Sequence, residues 1–317
     1  AKSDISTFRW FQGLIIASIF SVVYFASPAY IISSILVLLF QFPNGKYALI
    51  YATPLLLSIV TPSKAMPWFA NYMKPMLDYF DYEEVLEFTN EEAIKSANNG
   101  KKFIIGMQPH GVVSFVSLCA WTNAPPEVRD VPTAVASVLL SIPILKNVMG
   151  IYGLTPASGS NVKRILQKGV GIKGCIVIYI GGIAELFKTC PKEERLYLKN
   201  RKGFVKIALR EGVDIVPVYL FGNTSVLNVL KNKFLANVSR KMQMSVTYFW
   251  GKWLLPIPRD DKLIYVRGKP LGLPHIPEPT DEDINKWHAK YCEEVTRLFE
   301  MNKEKLPAYK HKKLFID

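Results

Sequence analysis

The sequence predicts an α/β fold: a mixed, largely parallel sheet flanked by helices, preceded by a membrane-embedded helical hairpin. Three observations carry this prediction. Apolar runs of strand length, at residues 103–107, 175–180 and 213–220, alternate with helical segments. Each run ends in a short polar or glycine-rich turn, at 108–111, 181–185 and 221–224. Ahead of them, no charged residue occurs from Trp10 to Gly45.

A chain of 317 residues allows one large domain with an appendage. The composition divides it into residues 1–66, a membrane hairpin with an interfacial segment, and residues 67–317, a cytosol-facing domain. The formal net charge is +13 and 50% of the residues are apolar. Excess positive charge fits a polyanionic partner, either nucleic acid, an acidic membrane or a phosphorylated substrate. The apolar N-terminal stretch favours the membrane and argues against nucleic acid. Cys119, Cys175, Cys190 and Cys292 form no CxxC pair and read as free thiols in a reducing compartment.

Taken in order, the uncharged stretch comes first. One straight helix of that length overshoots a bilayer core of about 30 Å. Ser27-Pro28 divides it, so the expected hairpin runs in over residues 10–25 and back over 30–42. Each limb is short, which leaves a shallow re-entrant hairpin and two crossings both open. Lys2 and Arg9 precede the stretch and Lys46 and Lys64 follow it, placing both ends on the cytosolic side. Residues 47–60, with Pro54, are expected along the interface or on the hairpin. Residues 62–75 read as a linker whose Trp68, Phe69 and Tyr72 suit the headgroup level.

The domain proper starts after the Asn98-Asn99-Gly100 turn. A strand at 103–107 is followed by a packed helix over 112–121. Residues 133–137 predict a strand and 142–149 a short helix. Ser160 is the expected N-cap of a helix over 161–168. Residues 175–180 form a continuous apolar run, the pattern of a strand covered on both faces. A helix over 203–210 leads to the strand at 213–220, where Pro217 argues for an edge or a bulge. Further strands are expected at 246–249 and 263–267. Thr280 and Asp283 open the last helix as a capping box. Ile284, Trp287, Tyr291, Val295, Leu298 and Phe299 keep its apolar spacing, and His288 on that stripe reads as structural. The lysine-rich residues 303–313 predict a solvated tail.

Chemistry concentrates at the strand ends. In open parallel sheets these lie along one edge, where ligands bind. His110 and Glu185 then converge. Pro109 stiffens the turn, and Gly111 removes bulk beside the imidazole. A nearby helix N-terminus disfavours imidazolium and keeps the ring neutral, as a general base requires. A carboxylate beside it would orient the ring and stabilise the imidazolium formed on proton transfer. Each residue taken singly also fits a plainer role. His110 fits a ring bonded to backbone in a turn, and Glu185 fits a helix cap or a partner for Lys188. The sequence contains no HExxH, GxSxG or GxxxxGK[ST] motif. Residues 169–174 fit GxGxxG, but they precede a strand instead of following one.

The ordered motifs resemble a family. Gln108-Pro109-His110-Gly111 is followed by Gly181-Gly182-Ile183-Ala184-Glu185, then by residues 201–209 and 216–222, Gly268-Lys269-Pro270-Leu271, Trp287-His288-Ala289-Lys290-Tyr291 and Leu298-Phe299. The set is similar to the type 2 diacylglycerol acyltransferases, a group that includes monoacylglycerol and wax-alcohol acyltransferases. The resemblance covers residues 103–303, and the N-terminal hairpin suits it.

That resemblance implies a glycerolipid-acyltransferase-like core in the endoplasmic reticulum membrane, facing the cytosol, with the lipid droplet as a further location. It implies transfer of a fatty acyl group from acyl-CoA to a neutral lipid acceptor, diacylglycerol first. The alternative acceptors are monoacylglycerol, a long-chain alcohol or a sterol, and the non-enzyme alternative is a lipid-binding protein with an inactive core. It implies no cofactor beyond acyl-CoA as co-substrate and no metal, and it leaves a homo-oligomer open. The catalytic His maps onto His110 and the acidic partner onto Glu185. Gln108, Pro109, Gly111, Gly181, Gly182 and Asn223 are the expected substrate-binding positions. Arg201 and Lys202 are the candidates for CoA phosphates, which favour fixed positive charge. Two positions depart from the pattern. Gln108 stands where many members have His and others Glu, and Asn223 stands where Glu often follows Phe-Gly.

Overall fold

The computed structural model describes residues 6–41, 44–188, 190, 192–242 and 246–317. Its strands are β1 (Glu83–Leu86), β2 (Phe103–Gln108), β3 (Thr133–Val135), β4 (Leu154–Pro156), β5 (Ile176–Tyr179), β6 (Glu193–Leu196), β7 (Asp214–Phe221), β8 (Asn228–Val229), β9 (Phe249–Trp250), β10 (Ile264–Arg267) and β11 (Lys313–Ile316). The helices that matter below are α1 (Thr7–Gln41), α2 (Lys46–Val60), α3 (Phe115–Asn123), α4 (Ile183–Leu186), α5 (Gly203–Glu211) and α6 (Asp281–Asn302).

Seven strands make one sheet in the order β1-β10-β7-β2-β5-β3-β4. The run β7, β2, β5, β3, β4 is parallel, and β10 joins β7 antiparallel. The expected mixed, largely parallel sheet is therefore present. Residues of β7 alternate between two cores. Val216, Val218 and Leu220 pack with Phe115, Val116 and Tyr79, whereas Ile215, Tyr219 and Phe221 pack with Phe204, Tyr291 and Phe299. Apolar burial on both faces is why these strands read as unbroken apolar runs.

Pro217 is in the middle of the sheet, not at an edge or bulge. Its carbonyl accepts the Gly268 N–H at 2.9 Å. In a strand, a residue's nitrogen and carbonyl face the same neighbour. The missing donor thus faces the side where β10 has already ended at Arg267, and the β2 ladder keeps its bonds.

The N-terminal stretch departs from expectation. α1 runs unbroken through Pro28, so the chain does not fold back there. A lone proline removes one intrahelical bond, and no glycine accompanies it. The return limb is α2, which opens just after Asn44-Gly45. Tyr30 of α1 lies against Tyr51 of α2, with ring centroids 5.3 Å apart. Within α1, residues Thr7–Phe40 contain a window of 18 residues with mean hydropathy 2.1, so the helix is long and apolar enough to cross a membrane. Its first half is built into the domain: Leu14, Ala17 and Phe20 are buried, and Trp10 packs on Tyr79 at 5.4 Å.

Two smaller expectations also change. Ser158, not Ser160, caps the helix Gly159–Lys168, accepting from the Asn161 N–H. Residues 303–313 are not a solvated tail. Tyr309 and Lys312 are buried, and β11 pairs parallel with β6. The capping box on α6 is as expected, with Thr280 and Asp283 bonding each other's backbone N–H. Thr280→Ala is expected to cost about 1 kcal/mol. Thermal unfolding in detergent would show this as a Tm lower by about 3 °C.

Candidate active site

β2 carries the chain to Gln108, and the next three residues turn sharply at the sheet edge. The Gln108–Pro109 peptide is cis. Gly111 has φ +65°, and a Cβ there would meet the Asn223 carbonyl oxygen at 2.7 Å. Only glycine fits both constraints. The neighbouring parallel strands β5 and β7 end beside β2, so their turns reach the same place.

Glu185 is on the short helix α4 after β5 and is 1% exposed. Its carboxylate folds back over Gly181, where a Cβ would sit 1.9 Å from Oε1. The structure does bring Glu185 to His110, but through the main chain. Oε2 accepts the His110 backbone N–H at 2.9 Å, and Oε1 accepts the Tyr197 N–H at 3.1 Å. No bond joins it to the imidazole, and Lys188 pairs with Asp317 instead. Burial pushes the Glu185 carboxyl up to about 7, against the pull of those two N–H groups.

The imidazole is oriented by its own neighbour. Nδ1 lies 2.6 Å from the Gly111 carbonyl oxygen. A carbonyl only accepts, so Nδ1 carries the hydrogen and Nε2 keeps a lone pair. The ring leans on Tyr179, with centroids 4.8 Å apart. Burial lowers the pKa of His110 below its ordinary 6.5, offset in part by the Gly111 bond. The neutral form, with Nε2 free to accept a proton, is thus the resting state.

His110 lines a cavity of about 720 Å³ together with Gly111, Gly182, Tyr179, Arg201 and, from α1, Tyr24. The other predicted positions divide. Arg201 reaches the cavity, whereas Lys202 turns away and donates to Asn285 Oδ1 at 2.6 Å. Asn223 is 1% exposed and sits behind the turn. Its Nδ2 donates to the carbonyls of Pro109 at 2.9 Å and His110 at 2.7 Å, and its Oδ1 accepts from the Val116 N–H at 3.3 Å. Gln108 is fully buried, and its Oε1 accepts from the Tyr291 hydroxyl at 2.7 Å. Neither amide faces the cavity. Tyr24, Tyr179 and Tyr197 were not singled out from the sequence. No motif marks them, and only the fold brings them to His110.

The family model described as diacylglycerol acyltransferase matches residues 38–317. The chain is 28% identical over 299 residues to human diacylglycerol O-acyltransferase 2, covering 86% of this chain and 74% of that protein. It is 29% identical over 299 residues to mouse acyl-CoA wax alcohol acyltransferase 1, covering 86% of this chain and 88% of that protein. Among solved structures, a 1-acyl-sn-glycerophosphate acyltransferase from Thermotoga maritima aligns over 94% of this chain and 99% of that one, with TM-score 0.47 and 14% identity.

Asn223→Ala would leave the carbonyls of Pro109 and His110 buried without donors. A stability loss of about 2 kcal/mol is expected, read from denaturant unfolding of the purified protein.

Proposed function

We propose a mechanism for a chain that belongs to the diacylglycerol acyltransferase family and is an acyltransferase. It moves a fatty acyl group from acyl-CoA to a lipid hydroxyl, with diacylglycerol as acceptor and triacylglycerol as product. One observation carries the reading. A single cavity is lined by His110, whose Nε2 keeps a lone pair, and by Tyr24 of the apolar helix α1. A base meets a path for a bilayer-soluble acceptor.

In this mechanism Nε2 of His110 takes the proton of the acceptor hydroxyl as that oxygen attacks the thioester carbonyl. The tetrahedral intermediate collapses, the C–S bond breaks, and the CoA thiolate takes the proton back from the imidazolium. Coenzyme A is a good leaving group, so no strong acid is needed. Glu185 holds the His110 backbone in place, and its negative charge stabilises the imidazolium through space. Gly182 and Gly111 line the cavity, and their N–H groups are candidates for the oxyanion. Arg201 at the cavity suits a CoA phosphate. Asn223 acts from behind the turn, Gln108 is held by Tyr291 and Lys202 by Asn285, so none of the three acts on substrate.

The catalytic side faces the cytosol, where acyl-CoA is dissolved, and the endoplasmic reticulum membrane supplies the acceptor. The lipid droplet is a further location for such an enzyme. A long-chain alcohol is the second acceptor, favoured by the wax-alcohol relative. Membranes carrying the protein, given labelled acyl-CoA and a panel of diacylglycerol, monoacylglycerol, long-chain alcohol and sterol, separate these readings. Diacylglycerol is expected to give the highest rate. A rate confined to another acceptor would replace it, and no transfer to any would favour a lipid-binding protein.

His110→Ala is expected to lower transfer at least about 100-fold, since a positioned base contributes roughly 10²–10⁴. Membrane association and folding should persist, checked by fractionation and thermal unfolding. Turnover near the parent's would end the general-base assignment.

The two shifts also predict a pH profile. His110, lowered below 6.5, is already neutral when Glu185 ionises near 7. Ionised Glu185 stabilises the imidazolium, so kcat should rise with pH through about 7 and then level. Glu185→Gln removes that limb and lowers the plateau, leaving an inflexion at the lower pH set by His110. An unchanged limb in the variant would assign it to another group.

A further inference from the structure

Both polar groups of the His110 backbone are gripped. Its N–H is held by Glu185, and its carbonyl by Asn223. Each grip depends on a further residue, and both lines lead to segment 306–317, which contributes nothing to the cavity.

The first line passes through Asn223. The N–H of the preceding Gly222 donates to the Tyr309 hydroxyl at 3.1 Å. That hydroxyl also lies 3.2 Å from Thr224 Oγ1. Thr224 Oγ1 in turn donates to Glu194 Oε1 at 3.1 Å, and the Tyr309 hydroxyl interacts with the same carboxylate. Tyr309 therefore holds the turn on both sides of Asn223, and it is fully buried while doing so.

The second line passes through Glu185. Tyr197, whose N–H holds Oε1, directly follows β6. β6 pairs in the described residues with β11 alone, in register from Glu193 with Lys313 to Leu196 with Ile316. Beyond the ladder, the Asp317 N–H donates to the Leu196 carbonyl at 2.8 Å and the Lys199 N–H to the Asp317 carbonyl at 2.9 Å. The β6 carboxylate Glu194 is 3% exposed and is neutralised by Lys312 Nζ at 2.8 Å. The same ammonium lies 3.9 Å from the Tyr309 ring centroid, which joins the two lines.

We propose that segment 306–317 is a positioning element for the catalytic turn, with Tyr309 its principal residue, acting on His110 through Gly222-Asn223 and through β6. It touches no substrate and sets where Nε2 stands. The proposal rests on His110 being the base.

Tyr309→Phe tests it, because it deletes one hydroxyl and keeps the ring that packs on Phe221 and Phe299. A base displaced from its line of attack loses turnover while substrate binding is untouched. The expected result is kcat lower by about tenfold, with KM for acyl-CoA and for acceptor within about twofold. Thr224→Val cuts the same chain one link further and should show the same split. His110→Ala, measured in parallel, separates the two claims. If His110→Ala is active, the base assignment fails. If it is inactive while Tyr309→Phe and Thr224→Val, both folded by thermal unfolding, keep kcat within twofold, the positioning role is overturned. A change confined to KM overturns it as well. In the Asn223→Ala background, which cuts the first of the two lines, Tyr309→Phe should lose less than its full factor. Losses that multiply in full would overturn the part of the proposal that runs through Asn223.

Discussion

A buried carboxylate must find donors or give up its charge. Glu185 is 1% exposed and has two, both from the main chain. This pair of bonds ties the turn after β2 to the segment after β6, two stretches with no strand pairing between them. It also explains Gly181, since any side chain there would occupy the space of the carboxylate. Main-chain donors have fixed directions, so Glu185 can bind the turn in only one arrangement. The turn that carries His110 is therefore set by the fold, not by the rotamer of a long side chain.

The imidazole is governed separately. The expected arrangement had Glu185 fixing the ring tautomer. Instead the Gly111 carbonyl does so, one residue away, and that places the lone pair on Nε2. A carboxylate bonded directly to the ring would strengthen the base and raise its pKa. A neutral carbonyl does so less, and burial then keeps the ring neutral. The two groups consequently ionise in reverse of their usual order, with the carboxyl near 7 and the imidazole below it. Such inverted environments are how acid and base roles are divided within one site.

The sheet was legible because unbroken apolar runs and glycine-rich turns are local signals, and parallel strands bring their ends together by necessity. His110 and Glu185 followed from that geometry and from the ordered motifs. What was not legible depended on partners distant in sequence. Asn223 and Gln108 looked like cavity residues because they sit beside His110 in motif or in space. Only burial and the tertiary bonds show that the Asn223 amide holds the turn and that Gln108 bonds Tyr291. Pro217 argued for an edge because the side on which its nitrogen points cannot be read from sequence. Lysines in 303–313 suggested solvent, yet Lys312 answers a buried Glu194 that lies far back along the chain. The fold-back was placed at Pro28 because proline is a conspicuous breaker. Inside a long apolar helix, with little polar sequence around it, it is only the loss of one bond.

The position of α1 follows from packing more than from hydropathy. Gly13 lets the helix approach the domain so closely that a Cβ would meet the Pro75 carbonyl oxygen at 2.3 Å. Phe20 then reaches Tyr152, and Tyr24 reaches Phe249. One face of this helix is thus core, while Phe11, Ile15, Ile19 and Val22 on the other remain exposed and apolar. A helix that only tethered the enzyme would need no such fit, since any apolar span anchors equally well. Here the inner face contributes Tyr24 to the same cavity as His110, and the outer face suits hydrocarbon. On the proposed mechanism, an acceptor dissolved in the bilayer would enter past α1 to reach His110. The net charge of +13 acts on the other substrate. It draws anionic acyl-CoA toward the domain over about a Debye length, near 8 Å at physiological salt. On the proposed mechanism the two substrates differ in phase, and the cavity lined by both His110 and Tyr24 would serve both.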